Sequence, residues 1–315
     1  MTPLFIPRFT AHNDNVLKFS NLSLGLFGAA PLNEQMSETT NTLSVRDPVS
    51  GLSIYELSHP WGHGTPIWPG DADIVIKRGV YHARDGVLSQ HITANMQTST
   101  HVNAPINMIQ GGADVAQLPM DHFFGNGIII DVPKGRWELV TAADLEVSGS
   151  RVKEGDLVLI CTGWHSRYSD SMEYFGEAPG LDVSAAKWLI DRKVKLVGVD
   201  TAAVDHPMAT SLAAHRGGPL MRRLPKHYET LTGRNAKEDF PEWMPAHRLL
   251  LGAGVPTIEN VGGQLQALAG RRATFHAMPW RFERGDGCIV RLMAFVDTDG
   301  SCRIESGRRP ASEGI

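Results

Sequence analysis

Three apolar runs constrain the fold of this chain more than anything else in it. They are Gly127-Ile128-Ile129-Ile130-Asp131-Val132, Asp156-Leu157-Val158-Leu159-Ile160-Cys161 and Lys195-Leu196-Val197-Gly198-Val199-Asp200. Short stretches of this kind, rich in β-branched residues and bounded by Gly, Pro and Asp, read as buried strands. Ile74-Val75-Ile76 reads the same way. Helical starts fall between them: Thr141-Ala142-Ala143-Asp144, and Asp182 ahead of Val183 to Ile190, where apolar residues share one face. Because the strands at 155–161 and 194–200 flank that second helix, the segment predicts a βαβ-like unit with a right-handed crossover. The expected class is mixed α/β.

At 315 residues the chain is long enough to bury its own core, as one large or two small domains. Its 42% hydrophobic and 20% charged residues exclude a disordered or fibrous chain. Thirty Lys and Arg against 34 Asp and Glu, with no dense basic run, disfavour nucleic acid as a partner and favour a small molecule. Cys161, Cys288 and Cys302 lack CxxC spacing, which argues against a disulfide framework or a thiolate zinc site and fits a reducing compartment. No stretch reaches the roughly 18 uninterrupted apolar residues of a membrane helix. Nor does the N-terminus follow the order of a secretory signal, so no membrane partner and a cytoplasmic location are expected.

Residues 1–45 show no sustained period and read as an N-terminal arm, loose or laid on a partner subunit. A single domain is expected over 46–315. Within it, 208–245 is long for a connection and carries charged residues among Gly and Pro, which suggests an insertion acting as a lid or subunit contact.

Two constellations carry chemistry. The first is Gln97-Thr98-Ser99-Thr100-His101-Val102-Asn103-Ala104-Pro105-Ile106-Asn107, where polar groups at 97, 101, 103 and 107 converge if the chain turns at Pro105. The second runs from Pro245-Ala246-His247-Arg248 to Val255-Pro256-Thr257-Ile258-Glu259-Asn260. It ends in a carboxylate at a strand end, where open α/β sheets place their ligands. Glu259 in such an apolar run needs a partner, and an arginine such as Arg248 or Arg272 would serve. Trp61, Trp68, Trp164, Tyr168, Tyr174 and Phe175 offer an apolar pocket for a ring-shaped substrate, two or three of them touching it. There is no GxSxG elbow and no nucleotide-binding glycine motif.

Together these segments resemble the cyclase family, of the kynurenine formamidase, isatin hydrolase and trans-dienelactone hydrolase type, from about Ile54 to Val296. The likeness begins with Ile54-Tyr55-Glu56-Leu57-Ser58-His59-Pro60 and Pro66-Ile67-Trp68-Pro69-Gly70-Asp71. It continues through Thr162-Gly163-Trp164, Gly198-Val199-Asp200-Thr201 with Asp205, and the pair His247 and Glu259. The family's motif has the form HxGTHxDxPxH, and residues 97–107 lie in that register with Gln97, Asn103 and Asn107 replacing His, Asp and His. The resemblance implies the swivelling β/β/α fold, a mixed sheet with flanking helices, and a hydrolase of cyclic amides, lactones or related carbonyl compounds. It also implies a homodimer or homotetramer.

The departures reshape the implied site. An Asn carbonyl is neutral and does not bridge two cations as a carboxylate does, so His101, His247 and Glu259 are left as a set for one divalent ion, Zn²⁺ or Mn²⁺. Gln97 and Asn103 then assist as neutral ligands or orient water. Asn107 does not titrate, so His206, or else His165, moves the proton. Trp68, Trp164, His165 and Asn103 are the expected substrate contacts. Two alternatives stay open: metal-free hydrolysis or a lyase reaction in which Gln97, Asn103 and Asn107 hold a carbonyl and a His acts as base, and a non-catalytic small-molecule binding protein.

Overall fold

The computed structural model describes residues 44–213 and 221–300. Its strands are β1 (Val45–Arg46), β2 (Ser53–Glu56), β3 (Val75–Val80), β4 (Ser89–Thr93), β5 (His101–Asn103), β6 (Phe124–Asp131) and β7 (Leu139–Val140). They continue with β8 (Leu157–Cys161), β9 (Gly180–Leu181), β10 (Leu196–Val199), β11 (Thr257–Glu259), β12 (Arg272–His276), β13 (Gly287–Ile289) and β14 (Met293–Val296). The helices are α1 (His82–Asp85), α2 (Ala142–Ser148), α3 (Met172–Gly176), α4 (Val183–Asp191), α5 (Leu224–Thr232), α6 (Ala236–Asp239) and α7 (Pro245–Gly252).

Ten strands form one mixed sheet in the order β1-β2-β14-β12-β6-β8-β10-β11-β5-β13. The apolar runs become its middle: β6, β8, β10 and β11 are mutually parallel, and antiparallel strands extend the sheet on both sides. Successive side chains of a strand face opposite ways. Ile129, Leu157, Leu159 and Leu196 therefore join a core with Leu265, Phe275 and Cys288, whereas Ile128, Ile130, Val158, Ile160, Val197 and Val199 pack under Leu145, Ala185, Leu189 and Leu250 of α2, α4 and α7. A Cβ on Gly127 would lie 1.9 Å from the Leu157 carbonyl oxygen, so the approach of β6 to β8 needs glycine there.

Both helical starts form as expected. Thr141 and Asp144 make a reciprocal capping box, and the Asp182 carboxylate accepts from the Ala185 amide at 2.8 Å. The segment β8–α4–β10 is the expected parallel unit.

The run at 74–76 is different. Ile74 is buried, but Val75 and Ile76 open a hairpin of β3 with β4, whose residues are mostly exposed and which among the described residues is two-stranded. Lys77 and Arg78 supply the polar character that the three-residue window missed. Residues 1–43 of the expected arm lie outside the described residues, and Val45 at its end already pairs with Ile54. Of the expected insertion, 214–220 also lie outside them. Its described part packs inward, with Leu224, Tyr228 and Ala236 buried against Trp137, Trp164 and Tyr174. Among the described residues no helix is long and apolar enough to cross a membrane.

Candidate functional site

Strand register builds the site. In β5, His101 and Asn103 share one face while Val102 enters the core, and in β11, Thr257 and Glu259 share that face while Ile258 enters the core. The antiparallel pairing sets His101 opposite Glu259 and Asn103 opposite Thr257. His101 Nε2 lies 3.2 Å from Glu259 Oε2, and Asn103 Nδ2 donates to the same oxygen at 3.2 Å.

His247 arrives from the first turn of α7. That turn begins after Met244, which has φ +45°, and is held by Asp205, whose carboxylate accepts from the Ala246 and His247 amides at 2.8 and 2.9 Å. Burial pushes the Asp205 carboxyl up to about 7 even so. His247 Nε2 meets Thr257 Oγ1 at 2.9 Å, while Nδ1 has no hydrogen-bond partner and faces Glu259 Oε1 at 3.8 Å.

Burial works against ionisation of Glu259. The hydrogen bond with His101, the fields of His247 and His101 and the Val204 amide at 3.0 Å outweigh it and hold the carboxyl below its ordinary value. Burial lowers His247, aided by His101 and opposed by Glu259, so its ring stays neutral. The expected arginine partners are elsewhere, Arg272 on Asp156 at 2.7 Å.

A brace of polar groups behind the strands fixes His101. Its Nδ1 meets the Ser99 carbonyl at 2.7 Å, and that carbonyl also accepts from Asn260 Nδ2 at 3.0 Å. The Tyr174 hydroxyl in turn donates to Asn260 Oδ1 at 2.6 Å. Ser99 and Asn260 both sit in the left-handed region, at φ +61° and +57°. Two such residues beside one carbonyl mark a backbone held in place by its surroundings.

The group opens on a cavity of about 240 Å³, lined among others by Gln97, His101, Asn103, Asn107, His247 and Glu259. Trp68 and Phe175 form an edge-to-face aromatic wall with centroids 6.3 Å apart. Gln97 is turned aside, its Nε2 donating to Asp286 at 3.0 Å.

Three expected residues lie elsewhere. His206 follows Asp205 on extended chain, so the two side chains diverge. Its ring stacks on Phe240 with centroids 4.0 Å apart, Nδ1 accepts from the Met208 amide at 3.1 Å, and burial lowers it to about 3. It lines a different cavity with Asp239 and Pro241, and the proton role expected of it does not follow from that position. Trp164 is buried in the core, where its indole donates to the Tyr174 carbonyl at 3.0 Å. His165 pairs with Asp200 at 3.0 Å. Neither lines the cavity of about 240 Å³.

Sequence reasoning missed Asp71, Asn95, Trp243, Met244 and Asn260 as lining residues. Asp71 closes the Pro-x-Trp-Pro-Gly-Asp segment and Asn260 follows Glu259, so both stood beside motifs already singled out. Trp243 and Met244 bring the expected insertion to the cavity's edge.

Among the described residues, Cys161, His165 and Asp200 are the trio whose ligand atoms lie within 4.8 Å of one another. His101, His247 and Glu259 do not meet that spacing and are linked in pairs through the two carboxylate oxygens.

The Cyclase family model matches residues 55–206. Kynurenine formamidase of Erythrobacter litoralis is 27% identical over 165 residues, covering 52% of this chain and 72% of that protein. The enzyme of that name from Bacillus cereus is 26% identical over 161 residues, covering 51% of this chain and 74% of that one. An isatin hydrolase solved with the product analogue thioisatinate superposes with a TM-score of 0.63 at 20% identity, over 78% of this chain and 92% of that one. Isatin hydrolase A from Labrenzia aggregata gives 0.62 at 23%, over 85% and 99%. At such identities the structural likeness speaks for the α/β fold alone. With the motif register and the sequence relatives beside it, the chain is similar to the cyclase family over residues 55–206.

Proposed function

We propose that the protein is a hydrolase that opens a C–N or C–O bond in a small cyclic amide, lactone or related carbonyl compound, with one divalent cation held by His101, His247 and Glu259. The names kynurenine formamidase and isatin hydrolase borne by its relatives support the class. One observation carries the reading. Ring nitrogens of two buried histidines are turned on one buried, ionised carboxylate at the wall of a cavity.

Hydrogen bonding supports the fit of a metal. The Ser99 carbonyl only accepts, so His101 Nδ1 donates to it, and the other ring nitrogen, Nε2, is the one turned toward Glu259. His101 Nε2 and Glu259 Oε2, 3.2 Å apart, are held together by a proton or by a cation between them. Neutral imidazole with carboxylate is a donor set that Zn²⁺ or Mn²⁺ accepts. When bound, such an ion supplies an acidified water and polarises a carbonyl.

The chain's own residues do the rest. Trp68 and Phe175 offer an apolar wall to a planar ring, and the amides of Asn103 and Asn107 orient its carbonyl. Among the described residues that line the cavity, Asp71 is the titratable side chain outside the trio. Its carboxylate, held by Asn95 Nδ2 at 2.9 Å, takes the proton of the attacking water in this reading. A metal-free variant has one observation in its favour, the unpartnered His247 Nδ1, which would then be the base.

The test is hydrolysis of a panel of neutral lactams and lactones, isatin included, by the full chain. Turnover is expected, suppressed by chelator and restored by Zn²⁺ or Mn²⁺. Turnover indifferent to chelator supports the metal-free variant, and ring binding without turnover, read from tryptophan fluorescence, makes the protein a binder. We further propose a homodimer or homotetramer, supported by exposed Trp280 and Ile92 and checked by light scattering.

A further inference from the structure

The parallel register of β8 and β10 sets Val199 beside Ile160, which brings the next residues, Cys161 and Asp200, together at the carboxyl ends of the two strands. Gly163, at φ +86°, turns the chain into the short helical segment Trp164–Arg167, and this folds His165 back over those ends. Sulfur, imidazole nitrogen and carboxylate oxygen of the three residues then lie within 4.8 Å of one another. Asp200 is fully buried and aimed by the Thr162 amide, 3.1 Å from both its oxygens, and by Thr162 Oγ1 at 2.6 Å. Such outer contacts are what orient a metal-ligating carboxylate. His165 Nδ1 stands 3.0 Å from Asp200 Oδ2, and the Cys161 thiol has a weak contact with Gln266 Oε1 at 3.7 Å.

We propose that Cys161, His165 and Asp200 form a second cation site, separate from the cavity, for a borderline divalent transition metal such as Zn²⁺. The charges balance there: one thiolate and one carboxylate neutralise a divalent ion that burial would otherwise penalise. On loading, the thiol proton leaves to solvent, the proton that His165 Nδ1 shares with Asp200 is given up as the ring takes one on Nε2, and a metal–sulfur bond forms, with no change of oxidation state. The absence of CxxC spacing says nothing against this site, because its single thiolate is completed by His165, four residues past the end of β8, and by Asp200, the residue just past the end of β10. The site fastens the segment that carries Tyr168, whose hydroxyl donates to Ser99 Oγ at 3.0 Å, to the strand ends beneath it. This inference stands apart from the proposed hydrolase reading.

Cobalt(II) tests it, since thiolate bound to cobalt absorbs in the near ultraviolet and the cavity trio contains no sulfur. The chelator-stripped full chain titrated with Co²⁺ is expected to develop that band, to keep it in Glu259→Gln and to lose it in Cys161→Ser. If Cys161→Ser fails to fold, His165→Gln is expected to weaken Co²⁺ binding about tenfold or more at the same band. A folded wild-type chain without the band at saturating Co²⁺ overturns the site. So does a band unchanged in Cys161→Ser or, where that variant does not fold, in His165→Gln.

Discussion

His247 and His206 share their bulk properties. Both are buried, both are kept neutral by that burial, and both have a ring nitrogen without a hydrogen-bond partner. They differ in what the ring meets. His247 turns its free nitrogen to Glu259 at 3.8 Å beside a cavity, whereas His206 lies flat on Phe240 at 4.0 Å. A titratable side chain becomes chemically available where its lone pair faces charge and open space, and being a histidine within a motif is not enough.

The contrast can be broken most decisively at the carboxylate. Glu259→Gln is expected to lower kcat/KM on the best substrate by about 1000-fold, the scale of removing a principal electrostatic group, while His206→Gln stays within about threefold because it lies off the cavity. Equal losses would erase the distinction. Next, His247→Ala should cost about 100-fold in kcat, since it removes a ligand or a base. Asp205→Asn probes the support beneath His247. A loss of about tenfold in kcat with KM little changed is expected from loosening the first turn of α7, and a change confined to thermal stability would assign Asp205 to folding alone.

The smallest effect concerns pH. The folded-state pKa of His206 is depressed, so above about 6.5 both folded and unfolded chains hold it neutral and its contribution is complete. As pH falls from there toward about 3, the unfolded chain takes up a proton that the folded one refuses, and stability drops by up to about 1.4 kcal/mol per pH unit. His59, lowered to about 4 chiefly by burial and also by His165, adds a slope of the same sign. Denaturant unfolding of His206→Gln across this range should show a shallower slope than the parent, and an unchanged one would mean that the buried ring is charged.

The sheet was legible because local and tertiary preferences agree in it. The apolar runs form the parallel centre, and Thr141 and Asp182 cap the helices they precede. Trp68, His101, Asn103, Asn107, His247 and Glu259, which the motifs and the resemblance singled out, line one cavity: two short strands bring His101, Asn103 and Glu259 to it, a helix start brings His247, and connecting segments bring Trp68 and Asn107. What stayed hidden is direction. Asp205 and His206 are adjacent in sequence, and only the bridge that places Asp205 beside Leu181 decides which of them points toward α7. Trp164 and His165 were read as pocket residues from their neighbours, yet one donates to a core carbonyl and the other to a buried carboxylate. Trp243 and Met244 arrive from a segment whose sequence carries no period of its own.

The donors His101, Asn103 and Glu259 ride on two strands of three residues each. Shifting either strand by one position would swing Val102 or Ile258 outward and turn the donors into the core. Replacing the side chain at 97, 103 or 107 leaves that register intact, whereas a residue gained or lost between 99 and 103 would invert the whole arrangement at a stroke.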